Sequence, residues 1–229
     1  MKRYTFVSMM ILLAAAGRLA RTAQAGPPLP TETVIPALTE QLHDGDATVR
    51  QAAVFALREM GPGAKAAIPA LAALLRDEDR YVAVDAAHTL ERMGPEAVPS
   101  LLPLLRDCEP RVRELAARTL QQIGPEAKAA IPALTERLRD EKATVRQAAI
   151  LALREMGPGA KTAIPALAEV LRDRDRYVAV DAAQTLEKMG AEAMPSLVPL
   201  LRDCDPRVRE LAALTLRQIG AGAASGAVP

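Results

Sequence analysis

The sequence predicts an all-α repeat protein of six stacked helical hairpins, on three observations. Six segments open with a proline in an apolar setting, Pro36, Pro69, Pro99, Pro132, Pro165 and Pro195, spaced by 33, 30, 33, 33 and 30 residues. A period in the range of about 30 to 40 residues marks a solenoid of stacked supersecondary units. Aligning residues 33–128 with 129–224 leaves 23 differences in 96 pairs, so a three-hairpin block is written twice. Half of the 229 residues are apolar and only 2% aromatic. A core of Ala, Leu, Val, Ile and Met suits close-packed helices better than a β-sandwich, and no segment has the period of a strand.

The first hairpin shows how each element is written. A first helix is expected from about Pro36 to His43, because proline suits a first helical turn, where its missing N–H has no partner to lose. The stretch DGDAT, residues 44–48, is the turn, with Asp46 placed to cap the next helix by accepting a backbone N–H. The second helix is expected over Val49–Met60, with Val49, Ala53, Ala56, Leu57 and Met60 forming its buried stripe. Gly61 then ends it in a left-handed conformation, and Pro62 forbids resumption. Gly94, Gly124, Gly157, Gly190 and Gly220 repeat that stop.

Six units with an apolar-Pro start, a turn Asp, a Val-Arg step and a final Gly, as in DPRVRELAALTLRQIG, resemble HEAT repeats. They are most similar to the short bacterial HEAT-like kind found in phycobilisome-lyase-related proteins. The resemblance spans nearly all of Thr33 to Gly220. It implies a right-handed α-solenoid with the second helices lining its concave side. It also implies an Asp–Arg ladder from turn to second helix. Asp44, Asp77, Asp107, Asp140, Asp173 and Asp203 are all present, whereas the Arg appears only as Arg50, Arg113, Arg146 and Arg209. Ala83 and Ala179 stand in the second and fifth units, where Arg80 and Arg176 are the expected substitutes.

The amino terminus reads as an export signal. Lys2 and Arg3 open it, Thr5 to Gly17 form a short apolar stretch, and Ala23-Gln24-Ala25 supplies the small-x-small pattern cut by signal peptidase. The apolar run is shorter than the ~18 residues a spanning helix needs, so no stable membrane insertion is expected after cleavage. The expected organisation is a signal peptide over 1–25, a linker over 26–32, repeats 1–3 over 33–128, repeats 4–6 over 129–220 and a flexible tail over 221–229. Cleavage after Ala25 removes four of the 29 basic residues and no acid, leaving 25 against 28 acidic residues. A mildly acidic chain lacks the basic footprint that phosphate backbones require, which excludes nucleic acid as an expected partner.

Little in the chain points to catalysis. Cys108 and Cys204 occupy the same turn position three units apart, on the order of 25–30 Å at helical packing distances, too far for an internal bridge. One of them in an intermolecular disulfide stays open, as does a small residue copied along with its block. The two histidines, His43 followed by Asp44 and His88 followed by Thr89, form no His-Glu pair. The di-iron site of deoxyhypusine hydroxylase, a HEAT-repeat enzyme, therefore has no counterpart here, and no cofactor or metal is called for. An Asp85–His88 pair at helical spacing suits acid–base work, but the duplicate has Asp181 with Gln184.

On the second helices, positions four, seven and eleven counted from the Val lie beside the buried stripe. They place Phe55, Asp85, His88, Leu115, Arg118, Leu151, Asp181, Leu211 and Leu214 on one candidate protein-binding strip. Position seven differs between the blocks in all three pairs, Phe55 against Leu151, His88 against Gln184 and Arg118 against Leu214, as two differently specialised surfaces would. The expected function is an exported, non-catalytic scaffold that binds a protein or peptide on an extended concave surface. The alternative is an accessory or catalytic subunit of the bilin-lyase or deoxyhypusine-hydroxylase kind, against which the missing His-Glu motifs count.

Overall fold

The computed structural model describes residues 31–225, with side chains from 34 to 221. The expected signal peptide lies outside the described residues, as do residues 26–30 and 226–229. Among the described residues the fold is all helical. In hairpin order the helices are α1 (Thr31–Gln41) and α2 (Ala47–Met60), α3 (Ile68–Ala73) and α4 (Arg80–Met93), then α5 (Val98–Leu101) and α6 (Pro110–Ile123). The second block gives α7 (Ile131–Arg137) and α8 (Ala143–Met156), α9 (Ile164–Val170) and α10 (Arg176–Met189), α11 (Met194–Leu197) and α12 (Pro206–Ser225). The fold class is thus a solenoid of helical hairpins.

The described residues form two compact units that divide between Ser100 and Leu101. In the first, α2 packs along α4, with α1 and α3 each against the second helix of its own hairpin. In the second, α6, α8, α10 and α12 pack in sequence, with α7, α9 and α11 against α8, α10 and α12. Leu57, Leu71 and Leu90 are fully buried in the first unit, and Leu105, Leu120, Leu134 and Leu153 in the second. Each such leucine contributes roughly 1.5–3 kcal/mol by leaving water. The alanines between them let helix backbones approach closely. Buried hydroxyls in the second helices are satisfied locally: Thr89, Thr119, Thr185 and Thr215 each donate to the carbonyl four residues back, at 2.7–2.8 Å.

The buried stripe is wider than its expected positions. On α4 it takes in Ala83 and Ala87 as well as Val82, Ala86, Thr89, Leu90 and Met93, because a second helix faces both its own first helix and its neighbours. On α2, by contrast, Val49, Ala56 and Met60 are only half-buried, and Val54 is buried instead. Their counterparts Val145, Ala152 and Met156 are buried on α8, which packs along α6.

The caps match the expected chemistry. Asp46 accepts from the Thr48 N–H at 2.8 Å, and Asp79 and Asp175 cap α4 and α10 in the same way. The stop glycines Gly61 and Gly124 have φ of 56° and 74°, but with ψ of −135° and −140°. This is not the left-handed helical well near ψ +47°; it is a region that side-chain-bearing residues barely enter. Two expectations are corrected at the ends. The first helix begins at Thr31 rather than about Pro36, so Pro36 lies inside it. Gly220 does not stop α12, which runs on to Ser225 through part of the expected tail.

The ladder is real, and it joins successive hairpins. Arg50 donates through Nε and Nη2 to the Asp77 carboxylate, both at 2.7 Å. Arg146 does the same to Asp173 at 2.6 and 2.7 Å, and Arg113 to Asp140 at 2.7 and 2.9 Å. The Nη1 of each Arg returns to the carbonyls of its own turn, such as Asp107 and Cys108 for Arg113. Each turn Asp also accepts the N–H two residues on. One bidentate Arg therefore fixes two turns at once. In the fifth hairpin the substitute for the missing Arg is Arg172, in the turn just past the first helix, and not the expected Arg176. Arg172 donates to Asp203 at 2.7 Å and also binds Glu169.

Candidate protein-binding surface

The strip residues fall on both compact units. In the first, Phe55 is half-buried and carries the Arg58 guanidinium 4.7 Å above its ring, a cation–π contact that covers part of the ring. Asp85 accepts from the Gln51 amide at 2.7 Å, tying α4 to α2. His88 is exposed on α4. Phe55 is therefore partly occupied within its own helix, and Asp85 in joining the second hairpin to the first.

In the second unit, Leu115 and Leu151 are half-buried, and Arg118 is exposed and paired with Glu114 one turn back at 2.9 Å. Asp181 accepts from Gln147 at 2.6 Å, repeating the Gln51–Asp85 link in the second block. Leu211 is half-buried, and Leu214 is 43% exposed, the most open of the apolar strip residues.

Leu211 and Leu214 are also brought together, in an open groove of about 460 Å³ between the fifth and sixth hairpins. The apolar lining includes Ala179, Val180 and Leu171, and the charged lining consists of Asp173, Arg176, Arg207 and Glu210. Ala179 stands where the first and fourth hairpins carry a ladder Arg, and its short side chain leaves this space unfilled. Arg207 is turned toward Asp205 at 2.7 Å, which holds the Asp205 carboxyl below the usual carboxylate range. An apolar lining with two cationic and two anionic side chains suits an amphipathic segment with charges of both signs. The Ala in place of Arg was visible in the sequence, yet its consequence depended on the side chains around it, and Arg207 and Glu210 gave no signal of their own.

Cys108 and Cys204 are free and exposed, their thiols 3.6 and 3.7 Å from the neighbouring Asp carboxylates. Among the described residues no group of three His, Cys, Asp or Glu side chains gathers to hold a metal ion. None of the described helices is long and apolar enough to cross a membrane.

Stacked hairpins bound by Arg–Asp rungs between turns define the class as an α-solenoid repeat protein. More particularly, the model of HEAT repeats matches residues 35–111, 98–187 and 164–228, and the chain belongs to that family. Among solved structures, it is similar to the complex of CpcE and CpcF of phycocyanin lyase from Nostoc sp. PCC7120. The identity is 27%, with 86% of this chain and 80% of that one covered and a TM-score of 0.52. An engineered protein is 24% identical over 82% of this chain and 97% of its own, with a TM-score of 0.51. Computationally designed armadillo repeat proteins for modular peptide recognition are 19% identical over 80% and 99%, with a TM-score of 0.50. No curated protein is significantly similar to the chain.

Proposed function

We propose that this HEAT-repeat chain is an exported, non-catalytic scaffold that binds a protein or peptide segment in the groove of the fifth and sixth hairpins. The observation that carries the reading is the open apolar space beside Ala179, with Leu214 exposed at it and charges of both signs around it. Export rests on the amino-terminal pattern alone, and the mature chain then begins at Gly26. Two measurements test the reading. A pull-down from the extracytoplasmic fraction should recover a partner with the wild-type chain that a Leu214→Glu bait fails to hold; equal recovery by both baits sinks the groove. Mass spectrometry of the chain from its native host should give Gly26 as the first residue, whereas an intact Met1 in the cytoplasmic fraction refutes export.

A role as one subunit of a lyase-type assembly is the second reading, favoured by the likeness to the CpcE–CpcF complex. Incubation with an open-chain tetrapyrrole and an acceptor protein separates the two, since only the second reading expects covalent transfer to depend on this chain.

A further inference from the structure

A solenoid that ends in solution usually closes with a polar outer face. The sixth hairpin does not. Met194 on its first helix, and Val198 and Leu201 on the 3-10 helix that continues it over Val198–Arg202, are 38%, 52% and 40% exposed. The duplicated third hairpin carries Leu105 where the sixth carries Leu201, and there the leucine is fully buried. What separates the two copies is the neighbour: the fourth hairpin stacks on the third, and among the described residues nothing stacks on the sixth.

The polar groups tell the same story. Arg209 keeps the inner half of a ladder rung, donating to the carbonyls of Asp203 and Cys204 at 2.8 and 3.1 Å. Its counterpart Arg113 completes the rung on Asp140 and is only 6% exposed. Arg209 is exposed and has no carboxylate within ion-pair distance among the described residues. At the other end of the chain, Asp44 is the counterpart of Asp140. It is exposed, and its carboxylate accepts only the Asp46 N–H among the described residues, while its carbonyl takes Arg50 Nη1. Arg202 and Glu40 likewise repeat the Arg106–Glu136 pair of the third and fourth hairpins, and among the described residues neither has an ion-pair partner. The half-buried Val49, Ala52, Ala56 and Met60 of the first hairpin are identical to Val145, Ala148, Ala152 and Met156, which the fourth buries.

We propose that the chain associates head to tail, the first hairpin of a second copy stacking on the sixth hairpin of the first. The intermolecular contact repeats the one between the third and fourth hairpins, with Arg209 pairing to Asp44 of the next copy and Leu201 covered. Such a contact is heterologous, so it generates an open row, or a ring where the rotation closes.

Sedimentation of the full chain in reducing buffer, over a concentration series, is the test; the reductant removes any contribution from Cys108 and Cys204. The expected result is a mass that climbs above the monomer with concentration. Arg209→Glu or Asp44→Arg alone should weaken association roughly tenfold or more with the melting temperature nearly unchanged, because like charges then meet. Mixing the two variants in equal amounts should restore it, since every end again faces an opposite charge. Leu201→Ser serves as an independent variant should Arg209→Glu disturb its turn, and it too should weaken association. A chain that stays monomeric to its solubility limit overturns the proposal. So does a monomer in which hydrogen exchange shows residues 198–201 protected by another segment of the same chain, and so does association that none of these substitutions changes.

Discussion

Arg113 reaches across from the third hairpin to Asp140 of the fourth, with Nε at 2.7 Å and Nη2 at 2.9 Å from its carboxylate, both side chains almost wholly buried. The rung works because the partner hydrogen bonds are also present. The Lys142 N–H satisfies the carboxylate from below, and two turn carbonyls take up Nη1. Buried charges are tolerable only when satisfied in this way. Arg113→Ala leaves Asp140 buried with Arg137 alone at 3.4 Å, so a loss of about 3 kcal/mol is expected, toward the low end for a broken buried pair. Urea unfolding of the wild type and the variant measures it; a loss below about 1 kcal/mol would show that the rung contributes little.

Acid should weaken the same rung. Burial pushes the Asp140 carboxyl up, but the Arg113 guanidinium and the Lys142 N–H outweigh it and hold the group below the usual carboxylate range. A group whose pKa is depressed by folding contributes stability that is fully present above its unfolded value of about 3.9 and is lost as pH falls through the folded value. Thermal melts should therefore hold steady from neutral pH to about 5 and fall below about 4. Asp140→Asn should be less stable at neutral pH and should flatten that fall. An unchanged acid slope in the variant refutes the assignment.

Gly124 tests the stop. Its φ of 74° disfavours any side chain, although an added Cβ would meet nothing within 4 Å. Gly124→Ala should then cost about 1–3 kcal/mol through the backbone alone. Gly63→Ala meets equally open space at an ordinary φ and should be neutral or stabilising by up to about 1 kcal/mol. Similar melting temperatures for the two variants would contradict this.

The groove makes a separable prediction. Leu214→Glu should change stability by no more than about 0.5 kcal/mol, being at an exposed site, and should weaken a bound segment by ~2 kcal/mol or more. Phe55→Glu behaves differently: it breaks the contact with Arg58 and opens a half-buried position, so stability falls. Calorimetric titration and thermal melts of both variants decide it, and a Leu214→Glu chain that unfolds would place that leucine in the core.

The sequence by itself determined the helical period, the six hairpins, the duplicated block, the capping aspartates and the ladder positions, because each depends on residues near in the chain or on a strict repeat. Which ladder positions closed, and from where, was a tertiary matter. Ala179 forecast a missing rung, but only packing showed Arg172 replacing it from the turn after the first helix and a groove left beside it. Identical residues also met different fates, as Val49 and Val145 show, since burial depends on what stacks on a hairpin and not on the hairpin's own residues. Exposure of Leu214 was likewise decided by packing, because the angular position of a residue on a helix fixes its face but not the neighbour that face meets.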